Sequence, residues 1–175
     1  MFPKAHAAAY MISTLRLGWY KVYRPTEYYA AYFTVRGEDF DGLITTRGKK
    51  AVQNKMKEIL DQGKSASSKD QLAFSTYQII NEMLARGVEV LPVNLYKSDA
   101  YKFLVEDNKV RLPFCSLGGL GGAAAQCIVD SRVDGEFISI DDLQSRTKIT
   151  KAVIEILDDA GVLDNIPKTN QVTFF

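Results

Sequence analysis

Leu117-Gly118-Gly119-Leu120-Gly121-Gly122 leads into Ala123, Ala124, Ala125, Gln126, Cys127 and Ile128, a run of small and apolar residues at helical spacing. Glycine admits backbone angles closed to other residues and lets a ligand reach the main chain. A helix that starts near Gly122 points its free N–H groups and the positive end of its dipole into that turn. Such a turn suits an anion, phosphate first among them. The same residues also fit a tight turn between two packed helices, and spacing alone leaves both readings open.

The other reactive side chains narrow the chemistry by exclusion. His6 is the only histidine, and Cys115 and Cys127 are the only cysteines. That inventory excludes a Cys/His zinc site and any triad built on histidine. With no signal peptide at the start, the two cysteines are expected in a reducing cytoplasm as small core residues. Acidic groups recur at Glu38/Asp39/Asp41, Asp141/Asp142 and Asp158/Asp159. Each sits in a loop, at a helix start or at a helix end, not on elements that would converge on one metal, so they read as solvated faces. No P-loop, nucleophile elbow or dinucleotide fingerprint is present, and no complete active site. Lys4, His6, Tyr10 and Arg16 offer a second pattern. A lysine and a histidine on one helix face, with an aromatic above, could meet a triphosphate and a base. A solvated lysine and a half-buried histidine are the plainer reading.

The elements that carry these residues are mostly helical. Pro3 to about Tyr23 reads as one long helix, rich in alanine, opened by Pro3 and ended by Arg24-Pro25. Thr26 is placed to cap a second helix whose aromatic crowding, Tyr28 to Phe33, suits a core. A third helix spans Lys49 to Asp61 and stops at Gly63; a fourth runs from Ser68 to Arg86-Gly87. Val88 to Leu95 and Tyr101 to Leu112 are richer in β-branched and aromatic residues, and Asp107-Asn108 favours a turn, so short strands or a hairpin follow. Pro92 and Pro113 keep these strands short or at an edge. Ser139 caps a helix with acids in its first turn, and Thr150 to Ala160 forms another, closed by Gly161. Pro167 to Phe175 reads as a tail without a partner, and no regular repeat is visible.

The 175 residues, 46% hydrophobic and 25% charged, suffice for one compact domain or two small ones, and no apolar run is long enough to span a bilayer. Net charge is +1, but residues 1–87 carry 13 basic and 8 acidic side chains while residues 88–175 carry 9 and 13. The glycine turn thus lies in the acidic half, so phosphate binding there must rest on local backbone geometry.

Phe2-Pro3-Lys4-Ala5-His6-Ala7-Ala8-Ala9-Tyr10, followed by Lys21-Val22, Pro25 and Tyr28-Tyr29-Ala30, resembles the fingers segment of bacterial C-family replicative DNA polymerases. The likeness is greatest to the PolC type, the polymerase III alpha subunit of low-GC Gram-positive bacteria. It continues through Asn81-Glu82-Met83, Arg86-Gly87, Leu91-Pro92, the glycine turn, Phe137 with Ser139, Asp142-Leu143 and Ala160-Gly161.

The resemblance implies a mainly α fold with a small β element: a helical fingers part over residues 1–87, a tandem helix-hairpin-helix unit over 88–166, and a tail over 167–175. It implies that Lys4, His6 and Arg16 face the triphosphate of an incoming nucleotide. Gly119, Gly121 and Gly122 would form a hairpin that grips duplex DNA through backbone N–H groups, with Ala123 beside them and Ala125 and Ile128 packing the helix behind. Family members often have proline where this chain has Gly118. The second hairpin, near Arg146 to Ile149, lacks glycine and is expected to pack more than bind, with Lys148 as its DNA contact. Gln171-Val172-Thr173-Phe174-Phe175 resembles the pentapeptide by which replication proteins bind the beta sliding clamp, two aromatics filling a pocket and a glutamine fixing register. The palm aspartates of these polymerases have no counterpart here. The resemblance therefore implies the C-terminal portion of a larger cytoplasmic enzyme, inactive alone and holding no cofactor, with Mg²⁺ in the palm of the parent. Two further readings stand beside it. One is a helix-hairpin-helix repair glycosylase, for which Asp130 and Asp134 are available but no lysine occurs between Gly121 and Lys148. The other is a non-enzymatic clamp adaptor.

Overall fold

The computed structural model describes residues 4–169. Proline dictates the first feature. Pro25 lacks an N–H and has a fixed φ, so helix α1 (Lys4–Tyr23) stops before it and α2 (Pro25–Arg36) takes it at its first position. The cap of α2 is therefore Arg24, not Thr26 as expected from sequence. Thr26 lies inside the helix, and its hydroxyl sits 3.2 Å from both the carbonyl and the Oδ1 of Asn108.

Three more helices follow. A short α3 (Gly42–Thr46), absent from the sequence reading, is started by Asp41, whose carboxylate accepts from the Ile44 N–H at 2.9 Å. α4 (Lys49–Gln62) ends at Gly63 with φ +52°, and α5 (Ser68–Ala85) begins where Ser67 Oγ accepts from the Asp70 N–H. α4 and α5 pack together.

The chain then builds a three-stranded sheet, β1 (Val90–Leu91), β2 (Leu104–Glu106) and β3 (Lys109–Arg111), in the order β1-β3-β2. Asp107 and Asn108, both with positive φ, make the two-residue turn that right-handed strand twist favours between the antiparallel β2 and β3. β1 joins the other edge of β3 in parallel. Beyond the sheet come α6 (Gly122–Ser131), α7 (Ile140–Thr147) and α8 (Lys151–Asp159). Ser139 and Thr150 cap the last two by accepting from Asp142 and Val153 N–H, and Gly161 follows α8 at φ +70°.

One apolar core, from Tyr29 and Phe33 on α2 to Leu157 on α8 and Leu163 beyond it, runs across residue 87 without interruption. The aromatic face of α2 supplies its centre, in keeping with the sequence reading. Outside this core stands α1, which has no buried residue. Leu15 and Tyr23, for example, are each 66% exposed. No helix among the described residues is long and apolar enough to cross a membrane.

Three local expectations are corrected. His6 is exposed, not half-buried, with its ring 4.4 Å from Tyr10, because α1 meets no other layer at that end. Cys127 is exposed, since Ala125 and Ile128 occupy the inward face of α6; Cys115 is half-buried, and burial pushes its thiol pKa up. The segment after Pro167 does not begin as a free tail, because the Pro167 and Lys168 carbonyls accept from the Ile140 and Asp141 N–H groups at the start of α7.

Candidate nucleic-acid interface

The glycine turn is held by leucines. Leu117 and Leu120 are buried, while Gly118 and Gly119 between them are exposed. A 3₁₀ turn, Phe114–Ser116, enters the bend, with the Leu117 N–H donating to the Phe114 carbonyl and Leu120 N–H to that of Leu117. Gly119 takes φ +89°, a conformation that side-chain-bearing residues rarely adopt. Gly121 caps α6 with no side chain, so the N–H groups at the first turn of that helix have no capping partner. Gly122 is closely approached by the exposed Tyr101 ring, whose hydroxyl a Cβ there would meet at 2.5 Å unless that side chain turned aside. Gly121 and Ala123, one to either side, face solvent.

Electrostatics favour one flank of this turn. Beside Gly118 and Gly119 lies a cleft of about 460 Å³ lined by Glu38, Asp39, Asp41 and Asp70 against Lys55 and Lys69. Its net negative lining repels phosphate, whereas the α6 N-terminus carries the positive end of a dipole. Asp41 is no solvated acid as expected; besides capping α3 it accepts from the Tyr77 hydroxyl at 3.3 Å. Burial first, then the Asp41 charge, hold that phenol above its ordinary pKa. Among the described residues, no three His, Cys, Asp or Glu side chains converge to hold a metal ion.

A second hairpin repeats the first. Lys148 stands at φ +55°, Ile149 is buried, and Thr150 caps α8; the corresponding residues before α6 are Gly119, Leu120 and Gly121. Ile128 and Leu157, each seven residues past its cap, are both fully buried. This turn lies at the Arg146 to Ile149 stretch where a second hairpin was expected, with lysine in the left-handed position that glycine takes in the first turn. The two turns differ in chemistry. Thr150 Oγ1 accepts one N–H of α8, from Val153, and the Gln144 amide reaches the Ile149 carbonyl at 3.5 Å. The second turn is thus partly satisfied internally, and Lys148 is exposed beside it.

Arg146 fixes the two hairpins to each other. Its guanidinium donates to the carbonyls of Ser131, Gly135 and Glu136, pairs with Asp142, and lies 4.4 Å above the Phe137 ring. Charged donors bind carbonyls more tightly than neutral ones, so Arg146→Ala is expected to cost about 2 kcal/mol in chemical denaturation. It should also weaken duplex binding by loosening the link between α6 and α7. Only the Asp142 partner of Arg146 is local in sequence; its carbonyl acceptors lie 10 to 15 residues away, which hides this role from the local pattern.

The three residues expected at a nucleotide, Lys4, His6 and Arg16, are all exposed on α1, and Lys4 and His6, two residues apart in that helix, leave it on opposite sides instead of sharing one face as expected. The structure thus places them on a different element from the glycine turn. The expected clamp-binding residues, Gln171 to Phe175, lie outside the described residues.

A helix-hairpin-helix motif matches residues 87–172, which include both turns and α6 to α8. Over its whole length the chain is 45% identical to "DNA polymerase III PolC-type" of Listeria innocua and of Clostridium perfringens, covering 12% of each. It is 42% identical to the protein of the same name from Thermotoga maritima, covering 13% of it. The chain therefore spans about an eighth of the length of the curated relatives it matches.

Proposed function

From a chain homologous along its whole length to one segment of PolC-type DNA polymerase III, we propose a module that holds duplex DNA by its backbone within a replicative DNA-directed DNA polymerase. The observation that carries this reading is the α6 N-terminus. It is uncapped, entered by glycines and exposed, and it lies inside the helix-hairpin-helix match. Backbone N–H groups bind phosphate oxygens and carry no base-reading pattern, so the contact is sequence-independent and positions the product duplex in register. Phosphoryl transfer, with its Mg²⁺, belongs to other parts of the polymerase.

On this reading Lys4, His6 and Arg16 project from α1 toward the incoming nucleotide's triphosphate, and the final five residues, Gln171 to Phe175, dock on the sliding clamp. The repair-enzyme alternative finds no support at its key positions. Asp130 is exposed and accepts from the Gln126 amide at 2.8 Å, and Asp134 is exposed as well.

Lys148→Gly tests the duplex reading cleanly. Glycine suits the φ of +55° there, so stability should hold or rise by up to about 1 kcal/mol while one phosphate contact is lost. Duplex binding measured by fluorescence anisotropy should lose about one from the slope of log affinity against log salt, equally for random and defined duplexes. An unchanged slope, or a marked preference for one sequence, would contradict the proposal.

A further inference from the structure

Gly18 stands in the interior of α1 with no local reason to be glycine. Glycine weakens a helix interior, and it is explained there by a positive φ or by close approach of another atom. Gly18 meets neither condition among the described residues: its φ is not positive, and a Cβ there would find nothing within 4 Å. The side chains around it are equally bare. Met11, Leu15 and Val22 share its face at helical spacing, and Trp19 stands beside it. All four are between 51% and 66% exposed. Leu15, Trp19 and Val22 thus wall a socket whose floor is the Gly18 backbone, the four-residue hole that receives a side chain when two helices pack.

The chemistry of this face selects its occupant. Met11, Leu15, Gly18 and Val22 offer no side-chain donor to a phosphate or a base, so the face suits an apolar side chain and not nucleic acid. Charge disfavours a second copy of the chain. α1 carries Lys4, Arg16 and Lys21 and no Asp or Glu, so two such helices side by side repel. A third source is close at hand. The chain matches about an eighth of the length of its PolC-type relatives, so most of a polymerase of that length lies outside these residues. A segment of the same polypeptide meets α1 at high effective concentration.

We propose that the Gly18 socket is a docking site for an apolar helix from the remainder of the polymerase polypeptide. One bulky aliphatic or aromatic side chain of that helix seats against the Gly18 backbone, between Leu15, Trp19 and Val22. The inference rests on the reading of the chain as a module within a PolC-type polymerase, and not on the duplex grip of the glycine turn. Lys21 leaves α1 on another side, toward Glu82 of α5 at 2.9 Å, so the socket stays open while α1 is joined to its own module. The helix that carries Lys4, His6 and Arg16 is thereby set by two bodies at once, the module at its end and the remainder of the polymerase along its face.

Hydrogen exchange of the α1 amides, read by mass spectrometry in the 175-residue chain and in the whole polymerase, tests this. In the isolated chain Gly18→Leu should slow exchange severalfold, because leucine suits a helix better and nothing stands in its way. In the whole polymerase the unaltered α1 should exchange slower by about tenfold or more than in the isolated chain. There the effect of Gly18→Leu should change sign and speed exchange, with Gly18→Ala, a smaller intrusion, speeding it less. An unaltered α1 that exchanges equally fast in both would overturn the docking site, as would protection that Gly18→Leu leaves intact. Protection in the isolated chain that rises with its concentration would give the socket to a second copy, and protection that needs added DNA would give it to nucleic acid; either result overturns the proposal. Duplex binding by the isolated Gly18→Leu chain should match that of the unaltered chain, so failure of the socket and failure of the duplex grip are read separately.

Discussion

Gly119→Val is expected to weaken duplex binding by about tenfold or more while the fold survives. At φ +89° a β-branched residue is strained, at a cost of roughly 1–2 kcal/mol, and about 1.4 kcal/mol corresponds to a factor of ten in affinity. The added Cβ would also sit 3.0 Å from the Ile156 methyl, which can turn aside. Strain is relieved by rotating the turn, and rotation moves the N–H groups of Gly121 and Gly122 away from the phosphate. For a chain of this size about 1 kcal/mol lowers the melting temperature by only roughly 2–4 °C, so binding and stability separate clearly. Gly118 is the control. It has no positive φ, and a Cβ there meets nothing within 4 Å, so Gly118→Ala should keep both affinity and melting temperature. Equal binding by Gly119→Val and the unaltered chain would mean that the hairpin conformation is not what grips DNA.

The largest stability effect is expected at Phe33. Its ring is 1% exposed and meets Phe40 at 4.8 Å and Phe103 at 5.7 Å, tying α2 to the segment before α3 and to the start of β2. Next to it the Thr34 hydroxyl accepts from the Phe103 N–H at 3.0 Å. Phe33→Ala would leave a cavity where three elements meet, at a cost of about 3–5 kcal/mol. Against a total stability of about 5–15 kcal/mol for an ordinary domain, that is a third or more. The urea midpoint should fall steeply with little change in slope. Val35, two residues on and 73% exposed, should tolerate alanine within about 0.5 kcal/mol. A loss under about 1 kcal/mol for Phe33→Ala would show that α2 is not anchored through this cluster.

Much of this arrangement was legible because its signals are local. Ser139 and Thr150 announce their helices through hydroxyls that reach only three residues ahead, and Gly63 and Gly161 announce helix ends through a conformation that glycine adopts freely. Asp107-Asn108 gives the hairpin for the same reason. The helix start at Gly122, inferred from glycine spacing, stands where expected. The misses have a common cause in long-range contact. Thr26 has the right chemistry for a cap but is drawn to Asn108, 82 residues away, once Pro25 takes the first helical position. Asp41 looked solvated because Tyr77 lies 36 residues distant. Residues 167 and 168 looked unpartnered because their acceptors serve α7. The second hairpin was legible near Arg146 to Ile149; the left-handed conformation of Lys148, which its residue type disfavours, was not.

The most direct test of the duplex grip is a nuclear magnetic resonance titration of the chain with short duplex DNA. The amides of Gly119, Gly121 and Gly122 should shift first and furthest, with Lys148 following, alike for unrelated sequences and progressively less as salt is raised. Shifts confined to other surfaces, or glycine amides that stay in place while the chain binds duplex, would contradict the account.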